Sequence, residues 1–263
     1  TGYTADKTVV SGVMGSENVT VTVTYAINSY KLTINYVYKN GTKAADTYTE
    51  TIEYNKNYNV TSPVITGYTA DKTVVSGVMG SENVTVTVTY SANTDTSYVV
   101  KHIKEDLNGN YTIVADTDNL KGTTGELTKA TAKSYDGFTA GTVTQKVIAG
   151  DNSTVVEIKY SRNTYKLTYK VDGKVYHEED VKFESTITLI EKPTREGYTF
   201  DGWNNAISKM PNSNVTIDGK FNINSYKLTI NYVYKNGAKA ADTYTETIEY
   251  NKNYNVTSPV ITG

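Results

Sequence analysis

Ser81–Tyr90 reads SENVTVTVTY. Val84, Val86, Val88 and Tyr90 alternate with Thr85, Thr87 and Thr89. That period of two predicts a strand with one apolar face. β-Branched and aromatic side chains suit such a pleated, half-buried surface. The same residues stand at Ser16–Tyr25, and the identity runs back to Thr66 in one copy and to Thr1 in the other. Asn224–Gly263 in turn repeats Asn28–Gly67, with Ala238 in place of Thr42. The chain therefore opens with the back half of a repeat and closes with the front half of the same repeat. Repeats of this kind decide an architecture before any single element does.

The whole repeat is Tyr30 to Tyr90. It begins YKLTINYVYKNG, where Tyr30, Leu32, Ile34, Tyr36 and Tyr38 alternate with mostly polar neighbours and Asn40-Gly41 signals a tight turn. Tyr48, Ile52 and Tyr54 share a face of the returning strand. NKNYNVTSP (55–63) reads as a crossover loop able to hold one helical turn, and GYTADKTVV from Gly67 as a third strand. Two divergent copies follow. Tyr98–Tyr160 opens YVVKHIKEDLNGNYTIVADT and ends DNSTVVEIKY. Tyr165–Phe221 opens YKLTYKVDGKVYHEEDVKF, turns at Asp172-Gly173, continues GYTFDGW from Gly197 and ends MPNSNVTIDGKF. Each is a two-strand hairpin, a crossover and two further strands. The connectors AINS (26–29), SANTDTS (91–97), SRNT (161–164) and NINS (222–225) contain no Gly/Ser-rich or Pro-rich tether. They are too short for free tumbling, so a stiff, extended rod is expected.

On GYTFDGW and MPNSNVTI, residues 165–221 resemble the internalin B-repeat, also called the Listeria–Bacteroides repeat. On YVVKHIKEDLNGNY and GDNSTVVEIKY, residues 98–160 resemble the mucin-binding-protein (MucBP) repeat. The Tyr30 repeat resembles both, without the Trp. The resemblance implies a mostly β chain of tandem small β-grasp (ubiquitin-like) modules, of the type arrayed in surface proteins of Gram-positive bacteria. It divides the chain into 1–25 (C-terminal half of a module), 26–90 (a complete MucBP-like module), 91–163 (a divergent MucBP-like module), 164–223 (an internalin B-repeat-like module) and 224–263 (N-terminal half of a module).

Composition narrows the function classes. The 263 residues carry a formal net charge of -2 with both signs mixed. No basic run is present to bind nucleic acid or an anionic membrane, and no apolar run is long enough for membrane insertion. The absence of cysteine excludes disulfides, thiol nucleophiles and thiolate metal sites. Tyrosine numbers 24, against four Phe and one Trp, a strand-rich bias.

No acid, base and nucleophile constellation emerges, so no enzyme, cofactor or metal site is expected. His102 and His177 read as solvated strand residues, and His177–Asp180 (HEED) as a charged edge that discourages unwanted pairing. Asp106–Asn110 (DLNGN) has alternating oxygens, yet the distal Glu of a calcium loop is missing, so a hairpin turn explains it. Trp203 reads as a core plug, with a sugar platform as the alternative. Tyr36, Tyr48 and Tyr54 read as cross-strand pairs with hydroxyls in water. Asn-Val-Thr at Asn18, Asn59, Asn83, Asn214 and Asn255 matches the glycosylation pattern, but strand propensity accounts for Val-Thr.

The expected function is mechanical: the repeat region of an extracellular fibre or stalk at a bacterial surface, with stability summed over units and neighbours. The alternative is an adhesin binding host glycans or proteins through repeated Tyr-rich faces. The expected partners are neighbouring repeats or copies of the chain, joined head to tail. The half-modules would be completed through Tyr3, Val19, Val21, Val23 and Tyr25 on one side and Tyr226, Leu228, Ile230 and Tyr232 on the other. Either a longer covalent array or strand exchange between subunits would supply the missing halves.

Overall fold

The computed structural model describes residues 2–263. Thr1, where the repeat identity starts, lies outside the described residues. Among the described residues every regular element is a strand. Two compact units divide the chain. The first runs to His102 and takes in 115–132 and 142–158; the second comprises 103–114, 133–141 and 159–263.

In the first unit, β1 (Tyr3–Ala5) and β2 (Tyr25–Ile27) form an antiparallel pair. β3 (Ser29–Tyr38), β4 (Tyr48–Glu53), β5 (Asn57–Thr61), β6 (Tyr68–Ala70), β7 (Val74–Val78) and β8 (Val84–Ala92) follow. β3, β4, β6 and β8 build a sheet in the order β4-β3-β8-β6, and β5 pairs separately with β7. At the centre β3 and β8 run parallel, with Leu32 opposite Val84, Ile34 opposite Val86, Tyr36 opposite Val88 and Tyr38 opposite Tyr90. A parallel pair needs a long crossover, and β5 and β7 lie within it. The apolar face closes over a core of Leu32, Ile34, Tyr36, Ile52, Val75, Met79, Val88 and Tyr90.

Next come β9 (Thr96–Glu105), β10 (Tyr111–Gly122), β11 (Phe138–Ala140) and β12 (Val155–Arg162), in sheet order β10-β9-β12-β11. In the second unit, β13 (Thr164–Val171), β14 (Lys174–Lys182), β15 (Tyr198–Asn204) and β16 (Val215–Ile223) form the order β14-β13-β16-β15. Its β13 and β16 are again parallel. The β13–β14 turn has Asp172 at φ 50° and Gly173 at φ 77°, both positive as a tight two-residue hairpin requires. β17 (Ser225–Ile230) and β18 (Tyr244–Glu249) close the chain as an antiparallel pair.

Four expectations need correction. Residues 57–61, read as loop or helical turn, are strand β5, because Val60 and Tyr58 find β7 across from them. GYTADKTVV is two short strands, β6 and β7, in different sheets. His102 is fully buried, not solvated, and its Nε2 lies 3.1 Å from Asp118 Oδ2. Tyr36 is buried and meets Tyr90 edge to face at 6.4 Å between ring centroids. Burial pushes its hydroxyl pKa up.

Other expectations hold. His177 is exposed on β14, an edge strand. Asp106 caps a turn, its Oδ1 accepting from the N–H groups of Asn108 (2.9 Å) and Asn110 (2.8 Å).

Candidate functional site

The residues that recur with the same geometry lie where one sheet gives way to the next. Asn28, Asn93, Asn163 and Asn224 each occupy one connector. Their N–H groups donate back to Gly2, Gly67, Gly137 and Gly197 at 2.8–2.9 Å. Their carbonyls accept from the N–H groups of Tyr54, Thr124, Phe183 and Tyr250, on the far side, at 2.8–2.9 Å. Their side-chain oxygens accept from the hydroxyls of Thr4, Thr69, Thr139 and Thr199 at 2.6–2.7 Å. A short amide is the side chain for this position. It spends both backbone groups on opposite neighbours and still reaches the preceding Thr. Each bond contributes about 0.5–1.5 kcal/mol net, so one clasp of three joins its neighbours firmly.

The glycine in each clasp has a steric cause. A Cβ on Gly2 would run into the Tyr54 ring, on Gly137 into the Phe183 ring and on Gly197 into the Tyr250 ring. At Gly67 the obstruction is the Gly150 backbone with the Thr124 side chain. Thus Gly-aromatic-Thr on one side and Asn followed by a packed residue on the other form one joint, repeated four times.

The Asn163 joint carries charge as well. Arg162 is buried, and its guanidinium donates to the Phe183 carbonyl (2.8 Å) and to Glu184 (2.6 Å). It lies 4.8 Å from the Phe138 ring centre. Glu105 accepts from the Arg162 N–H (2.7 Å) and from Lys182 Nζ (2.7 Å). The Lys182 hydrogen bond, then that from the Arg162 backbone, hold the Glu105 carboxyl below its usual pKa.

A second motif recurs inside the repeats. Asn55, Gly125 and Glu184 hold positive φ of 61°, 83° and 63°. Each donates its N–H to the carbonyl of a buried plug residue, Met79 (2.9 Å), Ile148 (2.9 Å) or Met210 (2.8 Å). The plug's own N–H returns to the carbonyl of Lys56, Glu126 or Ser185. Trp203, expected as the plug, is half-buried. It packs on Tyr169 and Phe200 at 5.0 Å and donates Nε1–H to the Ile190 carbonyl (3.1 Å).

The residues proposed from sequence to complete the half-modules lie near the surface. Tyr3, Val19, Val21, Tyr25 and Tyr226 are exposed, and Val23, Leu228, Ile230 and Tyr232 half-buried. Neither the clasp asparagines nor the plugs were among the sequence candidates. The signal for the clasp was an Asn in every connector and a Thr after the Gly-aromatic pairs at 2–3, 67–68, 137–138 and 197–198.

Residues 165–224 match the Listeria-Bacteroides repeat domain, and residues 31–91 and 227–263 match the MucBP domain. The chain carries both kinds of repeat. It is 26% identical over 273 aligned residues to Internalin J of Listeria monocytogenes serotype 4b, an alignment covering 96% of this chain and 30% of that protein. Internalin H of Listeria monocytogenes serovar 1/2a is 32% identical over 104 residues, 34% of this chain and 18% of its own. The chain thus spans less than a third of these relatives' length. Among solved structures, the MucBP domain of the adhesion protein from Pediococcus pentosaceus aligns with 25% of this chain and 99% of its own, at 23% identity and TM-score 0.22. Listeria–Bacteroides and MucBP repeats place the chain with the tandem-repeat surface proteins of Gram-positive bacteria, at the cell surface or outside the cell. Neither repeat is an enzyme family.

Proposed function

We propose that the chain is a structural spacer within a surface stalk or fibre, and not an enzyme. Its modules follow the boundaries drawn from the sequence. Module 26–90 is a reduced β-grasp unit in which the central parallel pair is kept and β5 with β7 stands where a helix would lie, and module 164–223 keeps the same parallel pair in β13 and β16. The observation that carries this function is the Asn clasp, repeated at four joints with the same three hydrogen bonds. A spacer needs stiff joints more than it needs a pocket. Small-angle X-ray scattering from the intact chain tests it. A profile with a constant thin cross-section is expected, and a globular profile overturns the proposal.

One observation favours an adhesive role alongside. Tyr176 is exposed, its ring 6.2 Å from Trp203, beside a cleft lined by His177, Ile190 and Glu191. An exposed ring with an apolar face and a polar hydroxyl can stack on a sugar. Binding of the intact chain to a glycan array, abolished by Tyr176→Ala, would establish it. An array without hits removes it.

A further inference from the structure

The chain makes three Asn-Gly turns, at Asn40-Gly41, Asn108-Gly109 and Asn236-Gly237. All three asparagines are exposed, and the glycines hold positive φ of 85°, 88° and 83°. Such a pair can react with itself, because no Cβ shields the glycine nitrogen. That nitrogen gives up its proton and attacks the asparagine Cγ. The new N–Cγ bond closes a succinimide, and the carboxamide NH2 takes up a proton and leaves as ammonia. One water then opens the ring at either carbonyl, giving aspartate or isoaspartate. The step needs no oxidant or reductant.

The three turns restrain this reaction unequally. Asn40 Oδ1 accepts from the N–H of Thr42 at 3.0 Å and from its hydroxyl at 2.7 Å. Asn236 Oδ1 accepts from the Ala238 N–H at 3.0 Å, and alanine has no hydroxyl to add. Among the described residues no hydrogen bond holds the Asn108 carboxamide; its backbone N–H alone is engaged, with Asp106 Oδ1 at 2.9 Å. The attacking N–H is tied to a carbonyl at 2.8 Å in Gly41 and 2.9 Å in Gly237, but at 3.2 Å in Gly109. The charges differ as well. A Cβ on Gly41 or Gly237 would meet nothing, whereas one on Gly109 would stand 3.6 Å from Glu105 Oε1 and 4.0 Å from Lys182 Nζ. Glu105 is already engaged by Lys182 (2.7 Å) and by the Arg162 N–H (2.7 Å).

We infer that Asn108 is a site of spontaneous deamidation that reacts ahead of Asn236 and Asn40, and that Lys182 promotes it. The ammonium beside Gly109 favours the deprotonated nitrogen and the oxyanion that forms at Cγ, as an opposite charge favours any ionised form. Glu105 holds that ammonium in place. The product adds a carboxylate to the turn that Asp106 caps. The isoaspartate form also adds a carbon to the backbone between the Asn108 and Asn110 N–H groups, both of which Asp106 binds. The entry into β10 is then expected to loosen. The inference does not rest on the spacer role.

Peptide-resolved mass spectrometry of the intact chain, aged at neutral and at mildly alkaline pH, tests it. The mass gain of NH2 becoming OH is expected first in the peptide holding Asn108, then at Asn236 and last at Asn40, and faster at the higher pH. In denaturant that order should vanish. Lys182→Gln should slow Asn108 several-fold and leave Asn40 and Asn236 as they were. A variant that failed to fold would instead bring all three sites to their denatured rates. Asn40 or Asn236 reacting first overturns the inference. So does an order that persists in denaturant, or an Asn108 rate that folded Lys182→Gln leaves unchanged.

Discussion

Tyr90 and Tyr25 end the same sequence, yet Tyr90 is 1% exposed and Tyr25 is 67% exposed. Met79 is 1% exposed and its twin Met14 is 73% exposed. The local chemistry is identical, so the difference is tertiary. Val84–Tyr90 forms a strand beside the parallel β3, whereas Val19–Thr24 carries no strand assignment. The terminal antiparallel pairs join strands about twenty residues apart and are held by the clasps of Asn28 and Asn224. The parallel pairing reaches further, since its partners are about fifty residues apart in sequence, and loop closure must be met before such contacts reward it. Each large side chain that gains cover contributes about 1.5–3 kcal/mol, so the covered repeat holds its core and the uncovered copies do not.

The sharpest way to break this comparison is Tyr90→Ala against Tyr25→Ala. Loss of the buried ring should cost about 3–5 kcal/mol, and loss of the exposed one about 0.5 kcal/mol or less. Denaturant melts of the dilute chain decide it, and equal costs would show that the terminal copy is covered after all. Next in size is Gly67→Ala against Gly41→Ala. Their φ angles are nearly equal, 83° and 85°, but Gly41 faces open space and Gly67 the Gly150 backbone. Gly41→Ala should cost about 1–2 kcal/mol of backbone strain, and Gly67→Ala about 1–3 kcal/mol more through overpacking.

Acid separates the charged joint from the uncharged ones. The folded pKa of Glu105 is lowered, so its contribution is present above the ordinary carboxylate value of about 4.3. It is lost as pH falls through the lower folded value. Thermal melts between neutral pH and pH ~3 should therefore fall more steeply for the wild type than for Glu105→Gln. At neutral pH that variant should be about 1–3 kcal/mol less stable. A small effect is also expected for Asn93→Ala, which removes one side-chain bond to Thr69 and leaves both backbone bonds, at about 0.5–1.5 kcal/mol. Amide exchange at Thr124, whose N–H donates to Asn93, should rise with it.

The strands and hairpin turns were legible because each has a local cause: the period of two at Val84–Tyr90, and Asn40-Gly41 or Asp172-Gly173. The repeat boundaries were legible as identity. The fate of NKNYNVTSP was not, because β5 exists only where β7 lies across from it. His102 was misjudged because alternation places it beside Ile103 without telling which of the two faces inward; both are buried. The clasp escaped because its donors and acceptors sit about 25 residues apart on either side of each connector. Its Asn looked like ordinary loop polarity.

The parallel pairing of β3 with β8 has a mechanical consequence. The chain enters the sheet at the start of β3 and leaves at the end of β8, and the two strands point the same way. Tension along the chain therefore slides one strand past the other. It loads the rungs from Leu32–Val84 to Tyr38–Tyr90 together, in shear, and does not peel them open one by one. The same direction of slip applies to β13 and β16, so each sheet resists pulling as a glued lap joint does.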